Sequence, residues 1–188
     1  MAFHQNHWCR VLEFLEGTML STVPYRSEEL LESIGSFAGN CCKKLSHFSH
    51  SAAERPIQWD LQNAPKLLKE WIGFVDNQEI KDKIGVVIQL CESNRVAMQG
   101  LRKSVVHADL TRYNILVDPE GSKVQGVIDF GDICRTWTSS ELAVLVLESA
   151  MTGSITPFDD AFQVVKAFHS QFALEENEIE ILYFLIQL

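Results

Sequence analysis

A polar loop in the second half of the chain carries His107, Asp109 and Asn114, and Asp129 ends the strand that follows it. Moving the terminal phosphoryl group of a nucleotide requires positioning, a hydroxyl-proton acceptor and magnesium, with little covalent chemistry from the protein. Asp109 has the chemistry of the acceptor. Magnesium prefers oxygen ligands, keeps several waters and takes one or two protein groups besides the phosphates. Asn114 and Asp129 offer such oxygens, so these residue types in this order point to phosphoryl transfer.

The elements around the loop must hold those side chains together. Val105 and Val106 precede it, Ile115, Leu116 and Val117 follow it, and both runs read as short β-branched strands. Residues 118–122, with Asp118, Pro119 and Gly121, read as a turn, so the spacing predicts an antiparallel hairpin between 115–117 and 124–128. Asn114 and Asp129 then fall on adjacent strands within about two pairing positions, close enough to reach one ion.

The run from His107 through Asn114, followed by Asp129-Phe130-Gly131-Asp132, resembles the signature of aminoglycoside phosphotransferases and choline kinases. Within that family the chain is most similar to the hydroxylysine kinase group. The similarity extends to residues 11–17, which look like that group's hinge strand, and to residues 59–65, which look like its Trp-containing loop before a helix. The resemblance implies an α+β, protein-kinase-like fold: mostly the helical C-terminal lobe, with a catalytic β-hairpin and a remnant of the N-terminal lobe. It makes Asp109 the catalytic base, gives His107 a place in the catalytic loop as its brace, and makes Asn114 and Asp129 the magnesium ligands. Glu13 and Leu15 flank the hinge, where backbone groups would meet a nucleotide base, although a plain edge strand accounts for them as well. Asp132 either supports the metal site or caps the turn before the next helix. A protein kinase shares the Asp109–Asn114 spacing, but no Ala-Pro-Glu follows here and an apolar helical run opens at Ser139-Ser140, which leaves almost no room for an activation segment. One departure is Ala108, where the family usually has Gly. A Cβ there penalises any backbone conformation with positive φ.

Composition sets looser bounds. With 188 residues, 46% hydrophobic and 22% charged, the chain can bury a sizeable core as one globular unit. A formal net charge of −9 gives no support to a nucleic-acid or anionic-membrane partner, and an acidic surface suits a cationic amine. Five cysteines without metal-ligand spacing suggest a reducing compartment, and with no signal peptide or membrane-length apolar stretch in view the cytoplasm is the simplest location. Cys41-Cys42 reads as helix packing. His4, His7, His47, His50 and His169 show no metal-site pattern.

Along the chain, residues 8–15 read as a strand running into a hinge at Glu16-Gly17. Ser27 caps a helix opened by Glu28 and Glu29, with Leu30, Leu31, Ile34, Phe37, Cys41, Leu45 and Phe48 on its buried face. Pro65 opens a helix carrying Leu67, Leu68, Trp71, Ile72 and Val75, and a third helix carries Ile80, Ile84, Val87, Ile88 and Cys91. Residues 141–151 read as a helix apolar almost all round, and Thr156-Pro157 opens a further one.

These elements divide the expected architecture into residues 1–17, a remnant of the small lobe and hinge, and residues 18–188, the helical lobe, incomplete at its C-terminus. The family's phosphate-covering loop and strand Lys have no counterpart in the sequence, so the chain reads as a truncated product and a poor catalyst by itself. The function expected of the whole is transfer of the terminal phosphate of GTP, or of ATP, to a hydroxyl of a small amine, with 5-hydroxy-L-lysine foremost. A nucleotide-binding or regulatory remnant, and a related kinase for choline, homoserine or an aminoglycoside-like compound, are the other readings. Oligomeric state is left open.

Overall fold

The computed structural model describes residues 2–4, 7–151 and 154–188. Strands β1 (Ala2–His4) and β2 (His7–Cys9) pair antiparallel. The strand expected over 8–15 stops at Cys9, and 10–17 follow without strand pairing. The side chains of His4, His7 and Trp8 lie outside the described residues. At the far end of this segment Gly17 sits at φ 145°, with Val117 O only 2.9 Å from where a Cβ would stand, so a side chain there would collide with backbone. The chain then enters β3 (Thr18–Met19), which pairs with β5 (Ile115–Val117).

Helix α1 (Glu28–Leu45) starts as its sequence dictates: the Ser27 hydroxyl accepts from Leu30 N–H at 3.2 Å, and Glu28 and Glu29 occupy the first turn. Its buried stripe is Leu30, Leu31, Ile34, Gly35, Ala38, Gly39 and Cys42. The expected stripe is thus rotated by about one position. Cys42, not Cys41, faces inward, and Phe48 lies exposed beyond the helix end. The reason is the partner helix α6 (Pro157–Gln171), which comes so close that a Cβ on Gly39 would stand 2.7 Å from Phe168 O and one on Gly35 2.8 Å from the Ala167 Cβ. Backbone contact between helices selects the small residues, whereas an apolar-periodicity count selects the large ones.

Helix α2 (Ala64–Trp71) forms where Pro65 predicts, and α3 (Gln78–Ser93) is capped by Asn77, whose side chain accepts from Ile80 N–H at 3.2 Å, but the two bury little beyond Ala64 and Cys91, and Trp71 and Ile80 stay exposed. Short α4 (Arg95–Gln99) leads into β4 (Lys103–Val106). β5 pairs antiparallel with β6 (Val124–Val127), so the predicted hairpin forms, and β7 (Cys134–Trp137) pairs with β4. Helix α5 (Thr138–Val146) continues into a π-helical turn over Leu147–Met151 and is buried on nearly every side. The main core joins α1, α5, α6, α7 (Glu176–Leu185) and the hairpin through Leu31, Ile34, Ile115, Leu145, Phe168 and Ile181. No helix among the described residues is long and apolar enough to cross a membrane.

Candidate active site

The loop between β4 and β5 is held from several directions. His107 is fully buried. Its Nδ1 accepts from Asp109 N–H at 3.3 Å, which leaves Nε2 to carry the proton and donate to Ile128 O at 2.9 Å. The Phe130 ring meets the imidazole edge-on, 4.7 Å between centroids. Burial lowers the His107 pKa below its usual value, against a smaller opposing effect of the Ile128 bond. A neutral imidazole tied at both nitrogens spans the loop and the end of β6; it is built as a brace.

Asp109 is half-buried. Asn114 Nδ2 donates to its Oδ2 at 2.6 Å and to its backbone O at 2.9 Å. Burial raises the Asp109 pKa, and the Asn114 bond works against that rise. Ile128 N–H donates to Asn114 O at 2.9 Å, so Asn114 lies opposite Ile128, with Asp129 one residue further on. The hairpin therefore brings Asn114 and Asp129 together as its register requires. Asp129 takes the left-handed conformation, φ 61°, and its Oδ1 accepts from Gly131 N–H at 3.1 Å.

The donor set suits magnesium. Asn114 spends its amide hydrogens on Asp109, which leaves its side-chain carbonyl oxygen, and Asp129 is exposed with its second carboxylate oxygen outside the Gly131 bond. Two hard oxygens from the protein are what a magnesium–nucleotide site needs. Among the described residues no cluster of three or more His, Cys, Asp and Glu side chains could hold a metal by itself. Glu13 is exposed in the unpaired segment before Gly17. Leu15 leans over β6, its Cδ2 2.6 Å from where a Cβ on Gly126 would stand.

The sequence matches APH, a phosphotransferase enzyme family, over residues 4–174. The chain belongs to the APH phosphotransferase family. A hydroxylysine kinase of Danio rerio is 29% identical over 191 residues, covering 97% of this chain and 53% of that protein. One of Xenopus laevis is 31% identical, covering 97% and 52%. A homoserine kinase of Zymomonas mobilis subsp. mobilis is 32% identical over 178 residues, covering 89% and 51%. The chain thus spans about half the length of the curated relatives it matches. Among solved structures, a GDP complex of an aminoglycoside 2′-phosphotransferase variant superposes with a TM-score of 0.67 at 14% identity, covering 92% of this chain and 57% of that one. An aminoglycoside phosphotransferase of Streptomyces rimosus, in complex with ADP and streptomycin, gives 0.62 at 18% identity, covering 93% and 67%. The fold is that of the protein-kinase-like aminoglycoside phosphotransferases.

In this APH-family chain the supporting residues are the ones that motif reading missed. Ala108 sits at φ 66°, in the region where its Cβ is penalised. Its N–H donates to Glu141 Oε2 at 2.8 Å, and Glu141 also bonds the His107 backbone. Glu141 is buried on α5, and burial pushes its pKa up to about 7 despite those bonds. The only sequence signal for it is a lone acid at the head of an apolar helix. Arg55 anchors the other side: it donates to Gly131 O, to Ile133 O at 3.3 Å, and pairs with Asp132 at 3.6 Å. Asp132 is therefore engaged by Arg55 in this structure. Asp60, from the Trp-containing loop, accepts from the Thr136 hydroxyl at 2.6 Å and from Gln62 N–H at 3.0 Å, fastening that loop to β7.

Proposed function

We propose that the protein carrying this chain is a small-molecule kinase that transfers the terminal phosphate of a nucleoside triphosphate, GTP or ATP, to a hydroxyl of a small amine in the cytoplasm. 5-Hydroxy-L-lysine is the foremost acceptor, supported by two hydroxylysine kinases among the relatives. The observation that carries the reading is the Asp109–Asn114 contact at 2.6 Å, on a loop whose hairpin sets Asp129 beside Asn114.

In this reading the acceptor hydroxyl lies against the Asp109 carboxylate, which takes its proton as the hydroxyl oxygen bonds to the terminal phosphorus. The bond from that phosphorus to the bridging oxygen breaks, and the electron pair leaves with the nucleoside diphosphate. Asn114 orients the Asp109 carboxylate through its amide hydrogens, and the neutral His107 keeps the loop backbone fixed behind it. Asn114 and Asp129 would hold magnesium, which when bound neutralises charge on the phosphate oxygens.

The test is transfer from GTP and from ATP to 5-hydroxy-L-lysine by the intact protein and its Asp109→Asn variant. A loss of about 10²- to 10⁴-fold is expected, the range for a general base. Turnover retained within a few-fold removes Asp109 from that role. The homoserine kinase relative makes homoserine the second acceptor to assay.

A further inference from the structure

Helices α2 and α3 pack mainly on each other and leave an open groove of about 260 Å³, lined by Leu67, Leu68, Trp71, Ile72, Val75 and Ile84. None of these six is buried. Beside the groove the chain turns through residues 72–74, and the Phe74 ring stands on that turn, 81% exposed, its centroid 6.0 Å from that of Trp71. Trp71 is itself 58% exposed. Single apolar side chains in water are ordinary, but aromatic rings gathered at an apolar groove mark a contact surface.

Shape, charge and area name the occupant as a second copy of this chain. The patch carries a hole and, next to it, a knob. A cavity of about 150 Å³ lined by apolar side chains accepts a benzene ring, so this groove has room for the Phe74 ring of another molecule. Because knob and hole adjoin, one two-fold axis between them seats each Phe74 in the other copy's groove, which is the geometry of an isologous dimer. Residues 61–100 carry five basic and five acidic side chains, so the whole net charge of −9 lies outside them. Lys69 pairs with Glu92 across the two helices, and Lys83 with Glu79 along α3. Two copies that meet through this hairpin avoid the like-charge repulsion that the rest of an acidic surface imposes. The exposed parts of Trp71 and Phe74 come to roughly 300 Å² per copy. That is enough for the apolar centre of an interface of standard size, about 800 Å² per partner.

We propose that the protein self-associates through the α2–α3 hairpin as a two-fold dimer, with Phe74 of each copy seated in the groove of the other. None of the side chains placed in phosphoryl transfer lines the groove, so the proposal stands apart from the kinase reading.

The experiment is sedimentation equilibrium of the protein at loadings from about 1 to 100 μM, the weak end of the range for interfaces of this size. The mass should reach twice the chain's 21.3 kDa and go no higher. Phe74→Asp should raise the dimer dissociation constant at least about 30-fold, the fold-change of a hot-spot residue. Trp71→Ser, a second change in the same patch, should act in the same direction. Phe158→Asp, which removes a ring 67% exposed on α6, should leave the constant nearly unchanged. Circular dichroism of each variant checks that it is folded, and the mass of the unaltered protein stands whether or not a variant folds. A monomer across the whole range, masses that climb beyond a dimer, or Phe74→Asp and Trp71→Ser that dimerise like the unaltered protein each overturns the proposal. A monomer that takes up an apolar dye, and loses that uptake in Trp71→Ser, gives the groove to another occupant and overturns it equally.

Discussion

Replacing Glu141 by Gln should change how stability depends on pH, in a direction the structure fixes. Glu141 is buried on α5 with Ala108 N–H on its Oε2 at 2.8 Å, and burial raises its pKa from the ordinary 4.5 to about 7. The folded protein therefore holds this proton over a range where the unfolded chain has released it. A raised acid pKa contributes stability that is complete below pH 4.5 and is lost as pH rises through 7. At about 1.4 kcal/mol per pKa unit the whole effect is on the order of 3 kcal/mol. The amide introduced by Glu141→Gln does not titrate, so the stability of the unaltered protein relative to that variant should fall by that amount between about pH 4.5 and pH 8. For a chain of this size 1 kcal/mol moves Tm by about 2–4 °C, so a relative shift of roughly 6–12 °C is expected. Urea or thermal unfolding of both proteins across that range reads it directly. Glu141→Ala should be less stable than Glu141→Gln at every pH, because it leaves the Ala108 N–H buried without an acceptor, at about 1–3 kcal/mol. Parallel pH curves, or an Ala variant as stable as the Gln variant, would refute the idea that this carboxylate holds the strained loop.

Three further outcomes are expected. Ala108→Gly should be neutral or stabilise by up to about 1 kcal/mol, because relief of the φ 66° strain slightly exceeds the added freedom of the unfolded chain; a loss above 1 kcal/mol in urea unfolding contradicts this. Asn114→Ala and Asp129→Ala in the intact protein should each weaken nucleotide binding with magnesium and leave binding without it nearly unchanged, as read by titration in the presence and absence of the ion; equal affinity in both conditions would remove them from the metal site. Arg102→Ala should cost about 3–5 kcal/mol in the unfolding free energy, because Glu178 is fully buried and loses the guanidinium now 2.7 Å away; a cost below 1 kcal/mol would show that water replaces the Arg.

What was legible in the sequence was whatever local chemistry dictates. Ser27 followed by Glu28 and Glu29, Pro65 and Pro157 each mark a helix start, because capping and a preset φ act within one turn. The 118–122 turn marked the hairpin, and its pairing, shifted by one residue between Leu116 and Val117, carried Asn114 and Asp129 to neighbouring positions. The types and spacing of His107, Asp109, Asn114 and Asp129 point to phosphoryl transfer without any fold, since magnesium and a proton acceptor ask for particular side chains at a particular separation.

Tertiary structure decided the rest. The close approach of α6 turned α1 toward its glycines and Cys42, which no periodicity of large apolar residues announces. The strand expected through residue 15 ended at Cys9, because strand length depends on a partner that the alternation in one segment cannot reveal. Glu141 and Arg55 hold the backbone at Ala108 and Gly131 from 33 and 76 residues away along the chain. Arg26 lines one cavity with Asp159 and Asp160 of α6 only because two helix starts converge. Each of these is a contact between residues distant in sequence, whose free energy depends on burial and distance, and a local pattern encodes neither.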